Sequence, residues 1–285
     1  MTAHRFLRQF LPAWFLVVVI VLISVCVFAQ APPDNKAYEP SVGQGGKDVI
    51  WLPTEQALAE IMLNLAQVTP KDYLIDLGSG DGRIVITAAK RGARAHGIEY
   101  NPDMVELSKR NAVREGVADK ATFVKADLFE SDFSAATVIT MFLLPEINMK
   151  LRPVILDLKP GTRIVSNSFD MEDWKADQAV AVGKEEGCDS NYCEAYLWIV
   201  PAKVEGRWKL PQGELLMKQT YQMISGDYTS GASRIPIADG RLSGGQISFR
   251  IGDARYTGRV TGASMEGTIT AGNSTAGWSA SRAAN

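Results

Sequence analysis

The stretch Tyr-Leu-Ile-Asp-Leu-Gly-Ser-Gly-Asp-Gly at residues 73–82 joins an apolar, strand-like run to a glycine-rich turn. Apolar residues resume at helical spacing directly after it, at Ile84, Val85, Ala88 and Ala89. Glycine has no Cβ and accepts unusual backbone angles, so such a turn lets backbone N–H groups approach a ligand at the start of a helix. The stretch therefore predicts a strand, a ligand-binding loop and a helix, which are typical of the first elements of an α/β fold.

Strand-like and helix-like patterns alternate through the middle of the chain, which is typical of a mostly parallel, Rossmann-like sheet with flanking helices. A helix is expected to begin at Thr54, and another at Asn101 and Pro102, with Gly116 ending it. The other predicted strands are residues 95–99, 121–124, 137–143, 162–166, 178–182 and 195–200. The last two strands are expected to close the sheet as a hairpin.

The last 81 residues, from Glu205 onward, contain 13 of the 25 glycines. Their apolar residues form short groups that partly alternate with polar ones, and the segment Gly240–Gly244 returns in similar form as Gly258–Gly262. This pattern predicts a small antiparallel β-module over residues 204–285. A disordered glycine-rich tail is the alternative, which the aromatic content of the segment disfavours.

The N-terminus contains an almost continuous apolar run, Phe10–Ala29, preceded by Arg5 and Arg8. A positive segment, an apolar stretch and a small residue at the end are typical of a secretory signal peptide. The same run is long enough to cross a bilayer as an anchor, and a buried helix is a third reading. We predict that residues 1–29 are a signal peptide or membrane anchor, followed by a linker over 30–47. The body would then be exported, to the periplasm or outside the cell, or held at a membrane.

The composition excludes several functional classes. The 285 residues carry 30 basic and 32 acidic side chains, so no broad basic surface is available to bind the phosphates of a nucleic acid. The chain has 2 histidines that are far apart, and no set of metal ligands at typical spacing is visible. A serine in a G-x-S-x-G elbow is missing as well, which argues against a hydrolase of that type.

Carboxylates follow successive predicted strands. The glycine turn reads Asp-x-Gly-x-Gly-x-Gly rather than the dinucleotide pattern G-x-G-x-x-G, with Asp76 before it and Asp81 within it. Negative charge there disfavours a pyrophosphate and favours a ligand that carries ammonium and sulfonium groups. Glu99 ends the second strand, the position from which a carboxylate binds ribose hydroxyls in doubly wound folds. Asp127 follows the third strand. Each acid alone is commonly a solvated loop residue, but the ordered series predicts a nucleoside-containing, cationic ligand.

Residues 51–201 resemble the class I S-adenosylmethionine-dependent methyltransferases, through residues 74–83 and Gly-Ile-Glu-Tyr-Asn-Pro at 97–102. Pro53-Thr54 and the string at 76–83 are similar to the membrane-anchored protein-lysine methyltransferases of mitochondria and their bacterial relatives. The resemblance implies a methyltransferase domain over 48–203, S-adenosylmethionine as cofactor, and a glycine loop at its methionine part. The cofactor-binding residues expected are Pro53, Thr54, Asp76, Gly78, Ser79, Gly80, Gly82, Glu99 (ribose), Asn101 and Asp127 (adenine).

The methyl acceptor is less clearly indicated. The fourth strand ends in Phe-Leu-Leu-Pro-Glu at 142–146, which is not the Asn/Asp-Pro-Pro-aromatic signature of amino-methylating nucleic-acid enzymes. We predict methyl transfer to protein lysine by in-line displacement, with a small-molecule or lipid-like acceptor, or an exported non-catalytic binding protein, as alternatives. Glu146 and Asp170 follow strand ends on the cofactor side and are the candidate catalytic acids, the alternative being solvated loop acids.

Two cysteines flank four residues in the predicted hairpin connection. In an exported protein Cys188 and Cys193 could form a disulfide, whereas in a reducing compartment they would be two loop thiols.

Overall fold

The computed structural model of the chain describes residues 38–283. The predicted signal peptide or anchor, residues 1–29, and the first part of the predicted linker lie outside these residues and stay predictions. In the described range, no helix combines the length and the apolar character needed to cross a membrane.

A mixed seven-stranded sheet forms the first part of the described chain. Its strands are β1 (Tyr73–Leu77), β2 (Arg94–Glu99), β3 (Ala121–Lys125), β4 (Val138–Met141), β5 (Arg163–Asn167), β6 (Gln178–Ala181) and β7 (Glu194–Ile199). They lie in the order β3-β2-β1-β4-β5-β7-β6. Strands β1 to β5 are parallel, and β7 runs antiparallel to β5 and β6. The α/β sheet closed by a hairpin is thereby confirmed.

Helices cover both faces of this sheet. They are α1 (Gln56–Leu65), α2 (Arg83–Lys90), α3 (Pro102–Arg114) and α4 (Pro145–Leu156), and a 3-10 turn spans Lys184–Glu186. Asn101 caps α3 as predicted, because its side-chain oxygen accepts from the backbone N–H of Asp103 at 2.9 Å. Helix α1 begins at Gln56, two residues later than expected. Glu55 occupies the N-cap position without a capping hydrogen bond from its side chain, and the Thr54 hydroxyl accepts a hydrogen bond from the Asn167 amide.

The strands at the centre of the sheet are buried on both faces. One apolar cluster, which includes Leu58, Leu74 and Val85, packs α1 and α2 against the sheet. A second, which includes Leu77 and Leu151, packs α4 against the other face. Such near-continuous apolar strands are typical of parallel sheets covered on both sides. This explains why the positions of the strands could be predicted from the sequence.

The second part of the described chain is a closed antiparallel barrel. Its strands are β8 (Gly206–Leu210), β9 (Gly213–Thr220), β10 (Met223–Ser230), β11 (Ser233–Ser243), β12 (Gln246–Ile251), β13 (Ala254–Thr261), β14 (Ser264–Ala271) and β15 (Ser274–Arg282). Two-residue turns join neighbouring strands, and β15 pairs with β8. The predicted β-module is confirmed, and each repeated glycine segment spans the end of a strand, β11 or β13, and the first residue of the turn that follows it.

The barrel contacts the sheet near the residues that precede β5 and β6, at the amino ends of these strands. The Ala202 N–H donates to the Gly244 carbonyl at 2.9 Å, and the Arg241 guanidinium pairs with Asp177 at 2.6 Å. The Tyr221 hydroxyl donates to Asp173 at 2.8 Å. This contact surface leaves the carboxyl ends of the parallel strands, where open α/β sheets bind ligands, free of the barrel.

Candidate active site

A cavity lies at the carboxyl ends of β1, β2 and β4, with about 1020 Å³ of empty volume that includes its open mouth. Nine of the ten predicted cofactor-binding residues line it. These are Pro53, Thr54, Asp76, Gly78, Ser79, Gly80, Glu99, Asn101 and Asp127. We refer to this cavity as the cofactor pocket. Parallel strands bring their carboxyl ends to one edge, so side chains far apart in sequence meet there.

The glycine loop between β1 and α2 is held by hydrogen bonds to β2. The N–H groups of Gly78 and Ser79 both donate to the Ile98 carbonyl, at 2.9 and 3.0 Å. Gly78 and Gly80 have positive φ, at 79° and 54°, which side chains with a Cβ rarely adopt. A Cβ on Gly80 would also lie 2.7 Å from the Trp51 indole nitrogen. The loop therefore presents bare backbone to the pocket.

Gly82 is the one predicted cofactor residue that the structure places outside the pocket lining. It precedes α2 with a φ of 83°, and a Cβ there would lie 2.8 Å from the Phe123 ring. A glycine is required here because the loop packs closely against β3. The glycine pattern in the sequence therefore includes one residue that serves packing, beside those that face the ligand.

Glu99 ties the glycine loop to the start of α3. One carboxylate oxygen accepts from the Gly80 N–H at 3.0 Å, and the other accepts from the Asn101 N–H at 2.9 Å. Each oxygen keeps a further lone pair that can accept from a hydroxyl of a ligand.

Asp76 is the most deeply buried acid of the pocket, with 3% of its surface exposed. Burial raises its pKa to about 7, and the negative charges of Glu99 and Asp81 act in the same direction. The Thr140 hydroxyl, which donates to Asp76 at 2.6 Å, acts against this rise. A cation bound in the pocket would favour the ionised form.

Asp127 forms an ion pair with Lys47, and the Phe129 N–H donates to it at 3.0 Å. The hydrogen bond from Lys47 is the main reason why the pKa of Asp127 lies below its ordinary value. The Lys47 ammonium also lies 5.1 Å from the centroid of the Tyr100 ring. The end of the predicted linker is thus part of the site.

Residues 44–54 form a covering segment along the pocket, all of which belong to its lining. The segment folds back on itself: the Gly46 N–H donates to the Val49 carbonyl, and the Trp51 N–H to the Gln44 carbonyl, both at 2.8 Å. Sequence reasoning assigned residues 44–47 to the linker and did not identify Trp51 as a site residue. The signal that could have pointed to it is the apolar run directly before Pro53-Thr54.

The two predicted catalytic acids lie elsewhere. Glu146 is exposed in the first turn of α4, and neither Glu146 nor Asp170 belongs to the lining of the cofactor pocket. Asp170 is exposed and accepts from the Glu172 N–H at 3.0 Å. Strand β4 ends at Met141, so Phe142 and Leu143 face the pocket, whereas Glu146 lies on the helix that begins at Pro145. The structure does not bring these acids together with the cofactor residues.

A second cavity, here termed the outer groove, shares much of its lining with the cofactor pocket and has about 1000 Å³ of empty volume. The shared residues are Gly45, Gly46, Lys47, Asp48, Val49, Ile50, Leu52, Phe142 and Leu143. Phe169 and Tyr192 line the outer groove only. The ring centroids of Phe142 and Tyr192 are 5.4 Å apart, and those of Phe169 and Tyr192 are 5.8 Å apart.

A disulfide joins Cys188 and Cys193, which is one of the two alternatives that the sequence leaves open. Tyr192 lies inside the loop that this bond closes, and Cys188 is almost fully buried. The covalent link restricts the loop and thereby the position of Tyr192 in the outer groove.

Comparisons with known proteins agree with this geometry. The family model of the ANTKMT methyltransferase domain matches residues 76–178. A protein-lysine N-methyltransferase of Saccharolobus islandicus is 40% identical over 155 residues, which cover 53% of this chain and 94% of that protein. The chain belongs to the same methyltransferase family as this protein.

Two further proteins are similar to parts of the chain. The adenine nucleotide translocase lysine N-methyltransferase of Mus musculus is 33% identical over 128 residues, covering 44% of this chain. The match spans just over half of that relative, 56% of its length. A solved structure of an RNA methyltransferase from Salinibacter ruber, in complex with S-adenosylhomocysteine, is 46% identical with a TM-score of 0.49. The match covers 54% of this chain and 96% of the chain in that structure.

The residues of the cofactor pocket fit S-adenosylmethionine. Three carboxylates at strand ends complement a ligand that carries ammonium and sulfonium groups and ribose hydroxyls. The Ser79 hydroxyl is buried and has no hydrogen-bond partner among the described residues, so it is available to a ligand. The glycine loop leaves its backbone open at the same place.

Proposed function

We propose that this methyltransferase transfers the methyl group of S-adenosylmethionine to lysine side chains of proteins. The observation that carries the proposal is the convergence of Asp76, Glu99 and Asp127 on one pocket beside the glycine loop, with a second groove opening next to it. The similarity to a protein-lysine N-methyltransferase over nearly its whole length supports lysine as the acceptor.

The pocket residues bind and orient the cofactor in this proposal. The glycine loop and Asp76 hold the methionine part, Glu99 accepts from the ribose hydroxyls, and Asp127 accepts from the adenine amino group. When bound, S-adenosylmethionine supplies an activated methyl group. Since methyl transfer needs no protein nucleophile, the contribution of the chain is alignment of the reactants and exclusion of water.

The outer groove lowers the cost of presenting a neutral amine. For a lysine amine with a pKa of about 10.4, losing its proton at pH 7 costs about 4.6 kcal/mol. Packing of the lysine methylene groups on the rings of Phe142, Phe169 and Tyr192 excludes water near the amine, and desolvation favours its neutral form. The proton leaves to solvent through the open groove.

The class of methyl acceptor is tested by measuring which cell fraction takes up a labelled methyl group. The full chain is incubated with methyl-labelled S-adenosylmethionine and separate protein, lipid, RNA and small-molecule fractions from cells that lack the gene. We expect the label in the protein fraction, as methyl-lysine after acid hydrolysis, and much less of it with a Glu99→Ala variant at limiting cofactor. Label confined to lipid, RNA or small molecules would contradict lysine as the acceptor.

We further propose that residues 38–283 function in an oxidising compartment, exported or held at a membrane by residues 1–29. The disulfide supports this, because thiols stay reduced in the cytosol. Protein isolated from its own cells under acid quench should take up alkylating agent at Cys188 and Cys193 only after reduction. Alkylation of both residues without reductant would contradict the proposal, and a sample reduced before quenching controls for their accessibility.

A further inference from the structure

The outer groove contains one carboxylate among its described lining residues, that of Asp48. The other titratable side chains of this lining are Lys47 and Tyr192. Lys47 is in close contact with Asp127, whereas its ammonium lies 3.8 Å from the nearer oxygen of Asp48. The Asp48 side chain is 44% exposed, so its carboxylate is accessible to an incoming group.

Asp48 lies where the two cavities meet, because it lines both of them. It belongs to the tight turn of the covering segment, which the Gly46 N–H closes by donating to the Val49 carbonyl at 2.8 Å. Gly46 has no space for a Cβ, which would overlap that same carbonyl. The backbone that carries Asp48 is therefore held in place at the boundary of the cofactor pocket.

Another part of the groove lining is an apolar wall. The rings of Phe142, Phe169 and Tyr192 lie against one another, with centroid distances of 5.4 to 6.0 Å. At this spacing the rings leave no room for a ligand between them, so they form one continuous surface. The four methylene groups of a lysine can pack on such a surface while the nitrogen extends toward the cofactor pocket.

We propose that the outer groove is the acceptor channel and that Asp48 is a catalytic residue that contacts the acceptor amine. The proposal rests on the proposed function, because it assumes a lysine acceptor. The neutral amine donates an N–H to the Asp48 carboxylate while its lone pair attacks the methyl carbon. The N–C bond forms as the C–S bond breaks, the electron pair of the C–S bond goes to sulfur, and the positive charge moves from sulfur to nitrogen.

The carboxylate of Asp48 stabilises the charge that develops on nitrogen. The neutral amine gains little from a nearby anion, whereas the alkylated nitrogen of the transition state is positive. Asp48 therefore binds the transition state more tightly than the bound neutral amine, so it accelerates the methyl-transfer step once the amine has lost its proton. Glu146 and Asp170, the acids predicted from the sequence, do not line the groove.

The test compares Asp48→Asn with a matched variant. Asp119 is an exposed aspartate just before the amino end of β3, so Asp119→Asn makes the same chemical change far from the groove. The probe is the total protein extract of cells that lack the gene, with methyl-labelled S-adenosylmethionine at saturation. For Asp48→Asn we expect the initial rate of methyl-lysine formation to fall about 10- to 100-fold, and the rate for Asp119→Asn to equal that of the wild type.

Calorimetric titration with S-adenosylmethionine accompanies these rates, and the affinity of Asp48→Asn should stay within about twofold of the wild type. Tyr192→Ala should slow methyl-lysine formation at limiting extract, and Tyr192→Phe should restore it. No methyl-lysine with the wild type would refute the proposed function itself. Methyl-lysine formed equally by the wild type, Asp48→Asn and Asp119→Asn, or a loss of rate explained by lost cofactor affinity, would overturn the role of Asp48.

Discussion

Replacement of Glu99 by alanine should raise the dissociation constant for S-adenosylmethionine at least about 100-fold. The carboxylate accepts two backbone N–H groups, from Gly80 and Asn101, and so connects the glycine loop to the start of α3. Hydrogen bonds to a charged group contribute about 1.5–3 kcal/mol each, and both disappear together with the ribose contact that the family resemblance implies. In the variant the glycine loop would no longer be held in position, and the ligand would lose the carboxylate that binds it.

Calorimetric titration with S-adenosylmethionine measures this effect, with thermal unfolding as the check that the variant is folded. Glu106→Ala is the matched control, because Glu106 lies on the exposed side of α3 and pairs with Lys109. Glu99→Gln should fall between the wild type and Glu99→Ala, since its amide keeps one acceptor oxygen. A dissociation constant for Glu99→Ala within about threefold of the wild type would show that Glu99 does not anchor the cofactor.

Asp76→Asn should stabilise the ligand-free protein and weaken cofactor binding, two effects of opposite sign. The folded-state pKa of Asp76 is raised from 3.8 to about 7. The folded protein therefore keeps a proton that the unfolded chain has released between these values, so stability falls as pH rises through this window. A difference of about 3 pKa units lowers the free energy of unfolding by at most about 4 kcal/mol above pH 7. Asparagine does not ionise, so the Asp76→Asn variant avoids this loss of stability.

The free energy of unfolding, measured in urea at pH 5 and pH 8 without ligand, tests the first effect. We expect the free energy of unfolding of Asp76→Asn to exceed that of the wild type at pH 8, by a margin about 3 kcal/mol larger than at pH 5. Calorimetry tests the second effect. The affinity of the wild type for S-adenosylmethionine should rise between pH 6 and pH 8 more steeply than that of the variant, because ionised Asp76 attracts the cationic ligand.

Asp72 provides a control at the other end of the same strand. It is also buried, but hydrogen bonds from Thr69 and Thr137 and the charge of Arg163 outweigh burial and lower its pKa. Its contribution to stability is present above the unfolded pKa and is lost as pH falls through the folded one. Asp72→Asn should therefore destabilise the protein at neutral pH. If Asp76→Asn also destabilises the ligand-free protein at pH 8, the interpretation of Asp76 is wrong.

The strands of the sheet could be predicted because their signals are local. β1 was predicted with the bounds that the structure has, and β2 to within one residue, since buried parallel strands read as short apolar runs ended by turn residues. Asp76, Glu99 and Asp127 could be predicted as a group for a related reason. Once the strands are known, the parallel topology brings their carboxyl ends to one edge.

The acceptor side could not be predicted in the same way. Glu146 and Asp170 follow strand ends, yet sequence position does not say whether a side chain on a following loop or helix faces the pocket. Asp48 lies in a segment that has no regular secondary structure, and only the fold of residues 44–54 against the pocket shows that it lines the groove. Residues on such segments are placed by long-range contacts, which leave no periodic pattern.

The sequence by itself determined the α/β class, the strand ends that carry Asp76, Glu99 and Asp127, and the antiparallel character of the C-terminal module. Each of these depends on spacing within short stretches, where backbone preferences and alternating burial leave a direct trace. Only the tertiary structure decided that the module closes into a barrel, with β15 pairing with β8, and that Asp48, Phe142 and Tyr192 meet in one groove. Those contacts join residues far apart in the chain, so their formation depends on how whole elements pack rather than on any single stretch of sequence.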